Sequence, residues 1–162
     1  MASRFGDADH ELHSKQSLRL WLRLLDTTTV VEKTIRSYLK DRCESTLPRF
    51  DVMAALDRAG RPLSMSELSN RLLVSNANVT GVVGRLSEDG LVEREADADD
   101  KRLQRVSLTR LGKRKFARMA RMHEQLVDDI FGGLTDSEIS RLLAVASELN
   151  RSVHASLSKV RR

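Results

Sequence analysis

The sequence predicts a mainly α-helical fold that carries one small β-hairpin. Its composition favours helices, since the 162 residues include only two prolines and 4% aromatic residues. Three stretches combine a helix-capping residue with an apolar staple, which is the local signature of a helix start. One stretch alternates apolar and polar residues with the period of two that is typical of strands. With 40% hydrophobic residues, the chain is long enough to bury a core without disulfides or metals.

Two helices are predicted to open the chain, after a head of residues 1–14 that we expect to be flexible. The first runs from near Lys15 to Cys43, where apolar residues recur with helical spacing. The second begins beside Thr46, a residue type suited to capping, and ends at Gly60, which suits the position just past a helix.

Two closely spaced helix starts predict a helix-turn-helix. Ser64 and Glu67 have the spacing of a capping box, and Ser75 is placed to cap the following helix. The first of these helices extends to about Leu72 and the second ends before Gly90, so that only a tight turn separates them. A hairpin is predicted next, because residues 91–96 and 102–108 alternate in polarity around the turn-rich, charged tip DADDK.

The second helix of this pair has a bare outer face. Its buried side is predicted to hold Val79, Val82, Val83 and Leu86, whereas the opposite side is small except at Arg85 and includes Gly81 and Gly84. Each interior glycine costs about 1 kcal/mol relative to alanine. A helix that enters the major groove of DNA needs slim residues where its backbone meets the DNA. The alternative is that the glycines permit close helix packing, but the charged hairpin that follows favours DNA.

The predicted DNA contacts are polar or basic side chains on this helix and hairpin. The start of the helix supplies donors, acceptors and a positive helix end for bases and phosphates, and the hairpin tip supplies cations for the minor groove. These residues are Ser75, Asn76, Asn78, Gly81, Lys101, Arg102 and Arg105. The net charge of +5 also favours a polyanionic partner.

Two long helices, residues 109–131 and 135–159, are predicted to close the chain. Their apolar stripes, together with that of the first helix, exceed what one small module needs to cover, so we expect a helical homodimer. The predicted division is a dimerisation region of residues 15–46 and 109–162 and a winged helix-turn-helix lobe of residues 47–108.

The stretch LVEREADADDKRLQRVSLTRLG resembles the wing signature of the MarR family of bacterial regulators. The family pattern is Asp-x-Arg followed by apolar-x-Leu-Thr-x-x-Gly, matched here by Asp100, Arg102, Val106, Leu108, Thr109 and Gly112. The similarity covers nearly the whole chain from about Leu18. It implies a triangular homodimer, with the first and last helices at the interface and two winged lobes that grip a palindromic operator in double-stranded DNA.

The resemblance also implies roles for particular residues. Arg102 would enter the minor groove, and Asp100 would orient the wing arginine through an ion pair. Thr80 and Arg85 would contact the groove and the DNA backbone from the recognition helix. Most proteins of this family are repressors that a small, often phenolic, ligand releases from DNA.

The segment from Leu18 to Arg58 resembles the branch that responds to aromatic acids or their coenzyme A thioesters, hydroxycinnamoyl-CoA among them. In this family the ligand pocket lies between the dimer helices and the DNA lobe. The candidate lining residues are Trp21, Phe50, Met53, Met119, Met122 and His123, with Arg36 and Arg49 available for a carboxylate or phosphates. For each apolar candidate, ordinary core packing is the alternative.

Other kinds of chemistry have weaker support. Cys43 is a candidate oxidant sensor, but relatives that sense peroxides carry their thiol near the start of this helix, so an inert cysteine is favoured. His10 and His13 have metal-ligand spacing without a convincing set of further ligands, so we expect no metal and no cofactor. The sequence shows no nucleophile–base motif, phosphate loop or paired carboxylates, which argues against an enzyme.

The remaining rival from another class is a winged module that binds a partner protein and has lost DNA binding. A membrane protein is not expected, since no run of about 18 apolar residues occurs. The polar N-terminus is unlike a secretory signal, and the single cysteine suits a reducing compartment, so a cytoplasmic location is expected.

Overall fold

The computed structural model describes the backbone of residues 4–97 and 103–160, and the side chains of residues 13–97 and 103–158. These parts of the chain form long and short helices and one small sheet, which confirms the predicted fold class. In chain order the elements are α1 (Arg4–Cys43), α2 (Leu47–Ala59), β1 (Leu63–Ser64), α3 (Met65–Leu72), α4 (Asn76–Glu88), β2 (Val92–Ala96), β3 (Gln104–Leu108), α5 (Arg110–Phe131) and α6 (Asp136–Val160).

Helix α1 begins earlier than its apolar pattern predicted, at Arg4 instead of near Lys15. The first residues carry no apolar stripe, so periodicity gave no signal there, although several of them are good helix formers. The threonines at 27–29 do not interrupt the helix. Each hydroxyl donates a hydrogen bond to the carbonyl oxygen four residues earlier, at 2.7–2.8 Å.

The sheet has three antiparallel strands in the order β1-β3-β2. The hairpin of β2 and β3 was predicted, and its register places Val92 opposite Leu108 and Ala96 opposite Gln104. Strand β1 was not predicted, because two residues are too few for an alternating pattern to be detected. It places Leu63 opposite Val106, and both side chains are completely buried.

The predicted helix starts are confirmed in their local chemistry. Glu67 N donates to Ser64 Oγ at 3.2 Å, and Ser64 N donates to Glu67 Oε2 at 2.8 Å, which completes a capping box. Thr135 and Glu138 form the same reciprocal pair at the start of α6. Thr46 occupies the N-cap position of α2 but makes no side-chain capping bond.

The core of the lobe lies where α2, α3 and α4 meet the sheet and the first half of α5. Its members are large apolar residues at most 8% exposed, among them Met53, Leu68, Leu86, Val106 and Phe116. Burying one such side chain completely contributes about 1.5–3 kcal/mol. The core of this lobe is therefore built from side chains that several elements contribute together.

The junction between the sheet and α5 explains one glycine of the wing signature. A Cβ on Gly112 would lie 1.9 Å from the carbonyl oxygen of Leu91, so only glycine fits there. Thr109 holds the same junction, because its hydroxyl donates to Gly90 O at 2.7 Å and accepts from Gly112 N at 3.0 Å. The first turn of α5 is thereby fixed against the strand that opens the hairpin.

The chain divides into two compact units, Met1–Glu124 and Gln125–Arg162. In the first unit, α1 exposes Leu18, Trp21, Leu22 and Leu25, each by more than 40% of its surface. In the second, α6 exposes Leu142, Leu143, Val145, Val153 and Leu157 to a similar degree. These are the unburied apolar stripes on which the dimer prediction depends. Within the described residues, no helix is long and apolar enough to cross a membrane.

Candidate nucleic-acid interface

The turn of the helix-turn-helix begins at Leu73, directly after α3. This residue adopts the left-handed conformation, with φ of 55°, and its side chain is 92% exposed. Val74 N closes the end of α3 by donating to Ser69 O at 3.1 Å. A left-handed backbone costs a non-glycine residue about 1–2 kcal/mol, so the turn is held by the packing of the two helices rather than by local preference.

Helix α4 presents its predicted outer face to solvent. Val79, Val83 and Leu86 are buried, as expected for the inner side. The predicted contact residues Ser75, Asn76, Asn78, Thr80, Gly81 and Arg85 are all exposed. Ser75 caps the helix by accepting from Asn78 N at 3.3 Å, and the Thr80 hydroxyl donates to Asn76 O at 2.8 Å. The start of α4 is therefore both ordered and accessible.

The two glycines of α4 have different surroundings. A Cβ on Gly81 would meet nothing within 4 Å, so this part of the helix surface is open. A Cβ on Gly84 would lie 3.7 Å from Arg94 Nη2, which is an ordinary contact. Packing therefore requires a glycine at neither position, although Arg94 of β2 approaches the helix at Gly84. No sequence pattern singled out Arg94, whose guanidinium the sheet brings beside α4.

A chain of ion pairs fixes the base of the hairpin to the start of α3. Arg105 Nε pairs with the buried carboxylate of Asp97, and Arg105 Nη1 lies 3.5 Å from Glu67 Oε2. Arg61 Nη2 pairs with the other oxygen of Glu67 at 2.6 Å. Hydrogen bonds from Arg61 and from the Ser64 backbone lower the pKa of Glu67 to about 2. Arg105, predicted as a DNA contact, is thus engaged by two carboxylates of its own lobe.

The predicted tip of the hairpin lies outside the described residues. This applies to Asp100, Lys101 and Arg102, so their proposed contacts with the minor groove and with each other remain predictions. Sequence reasoning did not find the pair of Asp97 and Arg105. In the sequence, the only sign of this ion pair is an acid at the start of the turn-rich segment and a base four residues after its end.

The predicted ligand residues are distributed over several surroundings. Phe50, Met53 and Met119 belong to the core and are at most 8% exposed. The Phe50 ring stacks on His123 with centroids 4.8 Å apart, and burial lowers the pKa of that histidine. Trp21 lies on the exposed stripe of α1, 57% exposed. For the three core residues, the structure therefore favours the alternative of ordinary packing.

Arg36 lines a cavity of about 450 Å³ that α1, α2 and the helix-turn-helix share. Its polar walls also include Glu32, which pairs with Arg36, and Asp51. Burial raises the pKa of Asp51, an effect that Arg36 opposes and Glu32 reinforces. The apolar and helix-turn-helix walls are Leu47, Pro48, Val52, Leu72, Val74, Asn78, Val79 and Val82. The cavity has the size of typical small-molecule sites and touches the recognition helix directly.

Arg49, the second predicted anion-binding residue, has a structural partner. Its guanidinium pairs with Asp89 at the end of α4, and this contact lowers the pKa of Asp89. Its Nε is buried and has no hydrogen-bond acceptor within the described part of the chain. Arg49 thus connects α2 to the C-terminal end of the recognition helix. Met122 lies elsewhere, with its sulfur 3.9 Å from Cys43 Sγ.

Several known proteins are similar to this chain in sequence and in fold. Residues 46–103 match the model of the MarR family. The chain is 31% identical over 104 residues to the HTH-type transcriptional repressor IacR of Pseudomonas putida, a match that spans 64% of this chain and 62% of that repressor. It is 27% identical to the HTH-type transcriptional repressor YetL of Bacillus subtilis, over 82% of this chain and 80% of that one. A solved MarR family transcriptional regulator from Silicibacter pomeroyi is 29% identical with a TM-score of 0.75, over 87% and 97% of the two chains.

Proposed function

Since the chain is a winged-helix transcriptional regulator of the MarR family, we propose that it is a repressor that binds a palindromic operator as a homodimer and leaves it when a small aromatic ligand binds. Members of this family are regulators and not enzymes. The observation that carries the DNA part of the proposal is the open face of α4, where a Cβ on Gly81 would meet nothing within 4 Å and Arg94 of the hairpin lies beside Gly84. The rival, a protein-binding winged module, gives no particular reason for a solvent-facing helix surface that lacks a side chain at Gly81.

The DNA contacts are proposed to start at the N-terminal end of α4 and to extend to the wing. Asn76 and Asn78 supply hydrogen-bonding groups for base edges, and the positive end of the helix favours a phosphate. Arg85, exposed on the same helix, binds the DNA backbone, and Arg102 enters the minor groove. A homodimer places two such lobes on half-sites about 34 Å apart, one helical turn of DNA.

The DNA proposal is tested with Arg85→Ala and Arg102→Ala, titrated against the intergenic DNA upstream of the gene. Each substitution is expected to weaken binding several-fold, and the loss of the Arg85 phosphate contact should also reduce the salt dependence by about one ion. Arg58→Ala is the matched control, since Arg58 is an exposed arginine on α2 outside the proposed interface. Unchanged affinity in both test variants would instead support the protein-binding module.

The ligand is proposed to be an aromatic acid or its coenzyme A thioester, with its aromatic part in the cavity beside Arg36. Most walls of that cavity are apolar, and a guanidinium at its edge suits a carboxylate or a phosphate. Because Asn78, Val79 and Val82 of α4 also line the cavity, an occupant contacts the recognition helix from its inner side. Release from DNA requires a difference of several kcal/mol in ligand affinity between the bound and free dimer shapes.

Ligand response is measured by fluorescence anisotropy of a preformed protein–DNA complex. Release by micromolar p-coumaroyl-CoA would support an aryl-thioester sensor, and a complex that ignores it would direct the search to free phenolic acids. Arg36→Ala is expected to weaken the ligand-induced release of DNA while leaving the affinity for DNA unchanged. The same result is expected for Trp21→Ala, through the loss of a contact between the indole and the ligand. Lys33→Ala, an exposed cation on the same helix, is the control.

A further inference from the structure

The first half of α5 carries a dense cluster of positive charge. Six of the residues 110–121 are cations and none is a carboxylate, so this segment alone exceeds the net charge of the whole chain, which is +5. The six cations are Arg110, Lys113, Arg114, Lys115, Arg118 and Arg121. The proposed contacts with the operator and with the ligand use none of them.

Four of these cations form an arginine stripe on the side of α5 that faces away from the core. The members of the stripe are Arg110, Arg114, Arg118 and Arg121, and all four are exposed. Their spacing of three or four residues places them on one face of the helix. The buried residues Phe116 and Met119 lie about 170° around the helix from the middle of this stripe, at 100° per residue. Among the described residues, none forms an ion pair with any of the four arginines.

The position of these charges is unfavourable for α5 itself. Like charges three or four residues apart on a helix repel each other. The helix dipole favours acids at the N-terminal end and bases at the C-terminal end, yet the first turn holds Arg110 and no acid. The last turn holds Asp128 and Asp129 and no base. The stability of the helix therefore gives no reason for the arginine stripe.

We propose that the arginine stripe binds the phosphate backbone of the duplex DNA that flanks each operator half-site on the side of the wing. The inference rests on the proposed repressor function, because it adds contacts to the same complex. Helix α5 begins two residues after the end of β3, so the stripe starts at the base of the hairpin. From Arg110 to Arg121 the helix rises about 16 Å, which corresponds to roughly five base-pair steps of DNA. Arginine is suited to this role, since its guanidinium binds a phosphate through two parallel hydrogen bonds.

Duplex DNA fits this surface better than a membrane does. A helix that binds in a membrane interface inserts an apolar face between the lipids. In α5 that face is already occupied, because Phe116 and Met119 are buried in the core of the lobe. Duplex DNA requires no apolar contact and carries one negative charge per about 1.7 Å of its axis.

The proposal is tested by anisotropy titration of the full-length chain with two duplexes from the upstream intergenic DNA. One duplex contains only the palindrome, and the other extends it at each end by about ten base pairs, one helical turn. The wild type is expected to bind the extended duplex at least about tenfold more tightly at low salt, with a steeper salt dependence. Replacing the sequence of the extensions should not change this difference, since phosphate contacts carry no sequence information.

The test variant is the double substitution Arg114→Gln/Arg121→Gln. It should lose most of the preference for the extended duplex and keep the wild-type affinity for the palindrome alone. Because a homodimer loses up to four phosphate contacts, the salt dependence on the extended duplex should fall by about three to four ions. Glutamine and arginine have similar helix propensities, and the variant removes like-charge repulsion, so its Tm should be at least that of the wild type.

Lys40→Gln/Arg58→Gln is the matched control, because it removes the same charge from exposed positions outside α5. Equal affinity of the two double variants for the extended duplex would overturn the proposal. An equal loss on both duplexes would overturn it as well, since the arginines would then act within the operator. Wild-type protein that binds neither duplex would refute the repressor function and, with it, this inference.

Discussion

Replacing Gly81 with alanine is expected to stabilise the free protein and to weaken its complex with DNA. The new methyl group meets nothing within 4 Å, and Gly81 lies in the interior of α4 without a left-handed backbone. The substitution therefore gains the full helix-propensity difference of about 1 kcal/mol. For a domain of this size, that gain raises Tm by about 2–4 °C at fixed protein concentration.

The expected loss in DNA binding comes from the same methyl group. If the backbone of α4 closes on the major groove at Gly81, overpacking by one carbon costs about 1–3 kcal/mol, or about five- to 150-fold in Kd. The assays are thermal unfolding and anisotropy titration at one salt concentration. Gly133→Ala is the control, since its methyl group also meets nothing within 4 Å but lies in the turn before α6. A Gly81→Ala protein that binds DNA as tightly as the wild type would refute the assignment of this face.

Substitutions at three further positions test the packing and the ion pairs of the lobe. Gly112→Ala should lower Tm by several degrees, because its Cβ would overlap Leu91 O. A Tm equal to that of the wild type would contradict the close packing of α5 on Leu91. Leu73→Gly should preserve stability or raise it by up to about 1 kcal/mol, while the β-branched Leu73→Val should lower it, since only glycine adopts φ of 55° freely. The pKa of Glu67 is lowered from 4.5 to about 2, so its pairing stabilises the fold above about pH 4.5 and is lost as the pH falls toward 2. Denaturant midpoints of Glu67→Gln should therefore lie below those of the wild type at pH 6 and converge with them near pH 2.

The elements that sequence predicted well are those whose chemistry is local. The capping box of Ser64 and Glu67 and the inner stripe of α4 depend on spacing within one helix, and both were found where they were expected. Strand β1 was missed because its pairing with β3 is a tertiary contact between short segments. The same is true of Arg105, whose basic side chain suggested DNA but whose partners Asp97 and Glu67 come from other elements.

The ligand residues show the same limit more clearly. The family resemblance predicted Phe50, Met53 and Met119 as ligand residues, but an apolar residue on a helix can equally face a core. In the structure these three pack into the core, whereas Arg36 lines the cavity of about 450 Å³. The acid that accompanies it, Asp51, was not singled out, because one carboxylate in an amphipathic helix carries no distinguishing pattern.

Helix α4 connects ligand binding to DNA binding in the proposed mechanism, because one of its faces lines the cavity and the opposite face is proposed to bind DNA. Val79 lines the cavity, and at 100° per residue it lies about 160° around the helix from Gly81, on the face proposed for DNA. Arg49 holds the C-terminal end of the same helix through Asp89. A ligand in the cavity therefore presses on a helix whose far end is fixed, so we expect it to tilt the N-terminal turn of α4. Because Asn76 and Asn78 lie in that turn, the contacts with base edges should be lost first, and ligand should reduce sequence specificity before it reduces non-specific affinity.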